Sequence, residues 1–74
     1  MMYDRKDTTV LLKFEVDGIH FSMIKVTFRD LTYPGNVWYW HVRYDVLIYG
    51  YGSKVNEKHV TIGSAMNQIM DWMV

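Results

Sequence analysis

The chain has 74 residues, of which 50% are apolar and 16% aromatic, with no cysteine and a formal net charge of +0. That length allows one domain, residues 1–74, with a thin core, because so small a chain buries only about 60% of its unfolded surface. The composition excludes a disordered chain and a disulfide scaffold. Zero net charge supplies no global field toward nucleic acid or anionic lipid. No apolar stretch approaches the roughly 20 residues of a membrane-spanning helix. The expectation is a soluble, cytoplasmic protein with no membrane partner.

Residues 1–8 are mostly polar or charged and are expected to fray. A first strand is predicted from Thr9 to Val16, with Val10, Leu12, Phe14 and Val16 on one face by the two-residue period of a strand. Asp17-Gly18 is a turn signal. A second strand, His20 to Asp30, sets Ile24, Val26 and Phe28 on its apolar face and Met23, Lys25, Thr27 and Arg29 on the other. A strict two-residue loop would place Val10 opposite Lys25 and mix the faces. A three-residue loop with Gly18 as a bulge pairs even positions with even positions, and is the preferred register.

Tyr33-Pro34-Gly35-Asn36 has the pattern of a type II turn. The third strand, from Val37, is dense in the β-branched and aromatic residues that suit a pleated sheet. Trp38, Trp40, Val42, Tyr44, Val46 and Ile48 share one face; Tyr39, His41, Arg43, Asp45, Leu47, Tyr49 and Tyr51 share the other. Gly50 to Lys54 reads as a flexible loop, and Val55 to Val60 is an alternative fourth strand with poor patterning. A helix from Thr61 to Val74 has Thr61 as N-cap and a Val60–Ala65 staple. Its apolar stripe is Ile62, Ala65, Met66, Ile69, Met70 and Met73. It is expected on the Trp38/Trp40/Val42 face. The predicted fold is α+β: a three-stranded antiparallel β-meander with one C-terminal helix packed on one face (βββα).

Val37 to Tyr49 as a single strand would span about 43 Å at roughly 3.3 Å per residue, whereas the helix would be about 21 Å long at roughly 1.5 Å per residue. One helix cannot shelter that much apolar sheet. The surplus residues Tyr39, Tyr49, Tyr51, Trp72, Leu11, Met23 and Leu47 have the chemistry of interface anchors. The preferred registers put Lys25 opposite Arg43, with Lys13, Arg29 and His41 nearby. Like charges so placed favour an acidic surface or a phosphate backbone as counterpart. His20, His41 and His59 lack metal-ligand spacing and no cysteine can complete a site. Paired catalytic carboxylates and activated nucleophiles are also missing from the pattern, so neither an enzyme nor a cofactor is expected.

The predicted element order resembles that of the AP2 and integrase N-terminal DNA-binding domains, which place a three-stranded sheet in the major groove. That resemblance implies nucleic-acid binding through the outer sheet face, but bulky aromatics and Glu15 and Asp45 stand where those families have a basic surface. The favoured expectation is a small protein–protein interaction module, a homodimer or a subunit of a larger assembly. Its partner-binding residues would be Lys25, Arg29, Tyr39, His41, Arg43, Tyr49 and Tyr51, and the third strand would be an open edge. Short, cysteine-free domains of this style occur among phage and mobile-element accessory proteins, some of which inhibit host machinery, such as a CRISPR complex, by covering its surface. A nucleic-acid-binding domain is the alternative.

Overall fold

A computed structural model describes residues 3–30 and 39–73, and the side chains of 7–29 and 39–73 within them. The expected turn at Tyr33–Asn36 and the position of Trp38 lie outside those residues. Four antiparallel strands, β1 (Tyr3–Val16), β2 (Ile19–Asp30), β3 (His41–Gly50) and β4 (Ser53–His59), lie side by side in sequence order, and the helix α1 (Ile62–Trp72) follows. The α+β class with a C-terminal helix agrees with the sequence. The strand number is four rather than three. β3 is therefore an interior strand paired on both sides, and β1 and β4 are the edges. The fourth strand removes the βββα order on which the resemblance to three-stranded DNA-binding domains rested.

Gly50-Tyr51-Gly52 makes the fourth strand possible. It forms a tight reversal instead of a loose loop, with Gly50 paired to Ser53 and the two central residues at positive φ, Tyr51 at 51° and Gly52 at 81°. Asp17 (52°) and Gly18 (83°) form the matching turn between β1 and β2. Two-residue turns of this hand follow the twist of the strands they join. The two turns lock together. The Tyr51 hydroxyl donates to the Asp17 carbonyl at 2.6 Å. The close approach needs glycine: a Cβ on Gly50 would lie 2.7 Å from the Gly18 carbonyl oxygen.

The register of β1 on β2 differs from the one predicted. The loop has two residues, since Val16 pairs with Ile19 and Leu12 with Met23. An irregularity between Val10 and Leu12 then shifts the pairing, so Val10 meets Ile24 and Thr8 meets Val26. The bulge thus sits at Leu11 in the strand, not at Gly18 in the turn. A second shift falls between Arg5 and Asp7, and the strand runs through 3–8, where fraying was expected.

Because β2 enters one residue out of the predicted phase, its faces exchange. Phe21 and Met23 point under the helix and are buried with Val46, Ile48, Ala65 and Ile69. Met23 is core, not a surplus residue. Leu12, Phe14, Ile19, Tyr44, Val55 and Met66 pack around this cluster. The face of β3 carrying Tyr44, Val46 and Ile48 is the one predicted. α1 rests on that turn-proximal half, not on Trp40 and Val42.

α1 is capped at Thr61, whose Oγ1 accepts from the Ser64 N–H at 3.1 Å. His59 on β4 ties the helix down. Its Nε2 is hydrogen-bonded to Gln68 Oε1 at 2.6 Å, and its Nδ1 to the Ser64 hydroxyl at 2.8 Å. The buried stripe is narrower than predicted: Ala65 and Ile69 are buried and Met66 is half-buried, while Ile62, Met70 and Met73 are exposed. Val60 is also exposed, so the expected Val60–Ala65 staple does not form.

Candidate interaction surfaces

The seven predicted partner-binding residues divide between two faces and one end of the sheet. Lys25 pairs with Tyr44 and Val26 with Arg43, so Lys25 and Arg43 lie on opposite faces rather than opposite each other. By alternation Lys25, Thr27 and Arg29 stand on the helix side, with His41, Arg43 and Asp45 on the outer side. The expected five-residue basic outer face is broken up: Lys13, His41 and Arg43 remain on it, and Lys25 and Arg29 leave it.

Arg43 is engaged within the fold. Its Nε–H donates to Asp45 Oδ1 at 3.0 Å, with the two side chains only 16% and 21% exposed. Its guanidinium carbon lies 5.0 Å from the centre of the Phe28 ring. His41 leans on the same ring at 5.7 Å. Beneath them Val26 is buried. Ile24, Val26, Phe28, His41, Arg43 and Asp45 thus make a compact outer patch in which the arginine stem covers apolar surface. Tyr51 is 81% exposed, but its hydroxyl is committed to the turn clasp. Tyr49 is stacked on His20, ring centres 4.8 Å apart.

On the helix side, β2 has 12 residues and α1 has 11. These lengths correspond to about 40 Å of strand and about 16 Å of helix. The molecule is accordingly elongated, 45 × 23 × 17 Å, with a radius of gyration of 14.1 Å, against about 11 Å for a compact chain of this length. Beyond the helix no described element covers this side of the sheet: Val42 is 39% exposed and Trp40 41%. Tyr39, 64% exposed, shares the outer-face parity of His41 at the same end. Lys25 is exposed nearby, and the Arg29 guanidinium lies 4.5 Å over the Trp40 ring. Asp7, paired with Thr27 at the β1 edge, offsets part of this charge.

The sequence pattern places Trp40 and Val42 under the helix, but both are exposed. Their exposure follows from the helix position, which the fourth strand sets by returning the chain to mid-sheet before α1 begins. Among the described residues no group of three or more histidine, aspartate or glutamate side chains is placed to hold a metal ion. No described helix is long and apolar enough to cross a membrane. Comparison with protein-family models, with curated proteins and with solved structures finds no match to this chain.

Proposed function

We propose that this chain is a protein-interaction module that docks through the open half of its helix-side sheet face. The observation that carries the reading is the exposure of Val42 and Trp40 on the helix side beyond the reach of α1, with Tyr39 exposed at the same end of the sheet. An exposed Trp next to a branched aliphatic residue, with an exposed Tyr at the same sheet end, supplies large contact area at low entropic cost, the usual make-up of an interface centre. Lys25 is exposed beside this strip and favours a partner with an acidic rim. A two-fold pairing of this face with itself would bring two lysine-bearing faces together, so a different, acidic protein fits better than a second copy. An accessory role, in which a small protein covers part of a larger assembly, is the form of this reading that suits the chain's size.

A photo-crosslinking residue at Val42, with one at Asn67 on the exposed side of α1 as control, tests it. The expected result is one protein captured through position 42 and not 67. That protein, purified, then binds the wild-type chain and loses at least tenfold in affinity for Val42→Glu. Equal capture at both positions, or unchanged affinity, would refute the docking surface.

Binding of single-stranded nucleic acid is the second reading, favoured by the cation–aromatic pair Arg29–Trp40. The two separate by salt. Phosphate binding weakens steeply between 50 and 200 mM salt, by roughly 10³-fold or more where six or more phosphates are contacted. An aromatic protein interface changes little over the same range.

A further inference from the structure

The outer face contains a hollow at its turn end, well away from the open strip. Strand alternation projects Lys13 and Glu15 from β1, His20 and Ser22 from β2, and Leu47 and Tyr49 from β3 onto this face, in two cross-strand rows: Glu15–His20–Tyr49 and Lys13–Ser22–Leu47. Ser22 is the small member of its row. Its place in mid-sheet suits a β-branched or aromatic side chain, and the serine leaves a cavity of about 240 Å³. Lys13, Glu15, His20, Ser22 and Tyr49 line it.

We infer that this hollow is a socket for one aromatic side chain, Tyr or Trp, of a protein partner. The inference rests on the reading of the chain as an interaction module and adds the anchor that a partner would present. The lining selects the occupant. The volume is below the roughly 300 Å³ at which small-molecule sites begin, and suits a single side chain. The Tyr49 and His20 rings, stacked on each other at 11° from parallel, give the hollow an aromatic border. Lys13 and Glu15 oppose each other in charge at the rim, which disfavours a phosphate or carboxylate and leaves a neutral ring as the better match. The Lys13 ammonium adds a cation–π contact to such a ring. Ser22 Oγ donates to the Leu47 carbonyl at 3.5 Å, the limit of a hydrogen bond, and keeps lone pairs for a phenol O–H or indole N–H.

The test is an amide chemical-shift titration of the whole chain with N-acetyl-tryptophanamide and N-acetyl-tyrosinamide, with N-acetyl-alaninamide as control. The expected result is saturable shifts centred on His20, Ser22 and Tyr49 for the aromatic probes and none for the control. Ser22→Leu fills the hollow and is expected to weaken binding at least tenfold, with amide dispersion elsewhere unchanged. Tyr49→Ala removes the aromatic border and gives the same loss if Ser22→Leu does not fold. Val42→Glu leaves the titration untouched, so failure of the socket and failure of the open-strip surface are told apart. Shifts scattered over other surfaces, no shifts at millimolar probe, or binding that survives both socket substitutions would overturn the inference.

Discussion

Truncating Ile69 and Met70 separately measures how much of α1 the sheet holds. The two residues are neighbours on the helix, but Ile69 is 2% exposed within the core cluster and Met70 is 56% exposed. Deleting a buried Ile side chain to Ala costs about 2–5 kcal/mol, through lost transfer energy and the cavity left behind. Met70 buries less than half of its surface, so the roughly 1.5–3 kcal/mol of a fully buried side chain falls to about 1 kcal/mol or less. A chain of 74 residues has a total stability of about 4–11 kcal/mol at the usual per-residue range. Ile69→Ala therefore removes a large fraction of it, and Met70→Ala does not. Urea unfolding followed by tryptophan fluorescence reads the difference. With a slope near 1 kcal/mol per molar for so small a domain, the midpoints of the two variants differ by about 1 M or more. Costs within about 0.5 kcal/mol of each other would refute the narrow contact stripe and place Met70 under cover.

Gly63→Ala raises stability by about 0.5 kcal/mol, because a Cβ there meets open space and alanine has less backbone entropy to lose in a helix; the urea midpoint checks it. Tyr51→Phe keeps the ring and removes the donor to the Asp17 carbonyl, with an expected loss of about 0.5–1 kcal/mol for one exposed hydrogen bond. Gly50→Ala forces the new Cβ to 2.7 Å from the Gly18 carbonyl oxygen and costs about 1–3 kcal/mol, as overpacking does. Thermal unfolding of Tyr51→Phe and Gly50→Ala, compared with wild type, reads both costs.

The helix and its N-cap were legible from Thr61 and the i, i+3, i+4 spacing, since those signals are local. So was the face of β3 under the helix, where Tyr44, Val46 and Ile48 alternate without interruption. The faces of β2 were not legible, because both are apolar: Phe21 and Met23 on one, Ile24, Val26 and Phe28 on the other. Only the turn phase distinguishes them, and the two-residue loop at Asp17-Gly18 reverses the assignment. The bulge at Leu11 has no residue-type signature, because its role is set by what β2 presents opposite. β4 was obscured by its composition: Ser53, Lys54, Asn56, Glu57 and Lys58 are ordinary edge-strand residues with only Val55 turned to the core. Arg43 looked available because its neutralising partner is two residues along the same strand, a contact indistinguishable in sequence from two separate surface charges. Ser22 was the one overlooked signal, a small polar residue in the middle of a strand otherwise filled by large side chains.

The claim on which the functional reading rests is that the sheet beyond α1 is open in the isolated chain, and Val42→Glu measures that directly. On the open face a glutamate at 42 stands opposite Thr27 and diagonal to Lys25 and Arg29, where a carboxylate is tolerated and gains about 0.2–1 kcal/mol from opposite charge across strands. Equilibrium unfolding is expected to place the variant within about 0.5 kcal/mol of wild type or slightly above it, as for other surface substitutions. A loss of several kcal/mol, the cost of placing an uncompensated carboxylate in an apolar interior, would show that Val42 is already sheltered by its own chain and that no surface is left there for a partner.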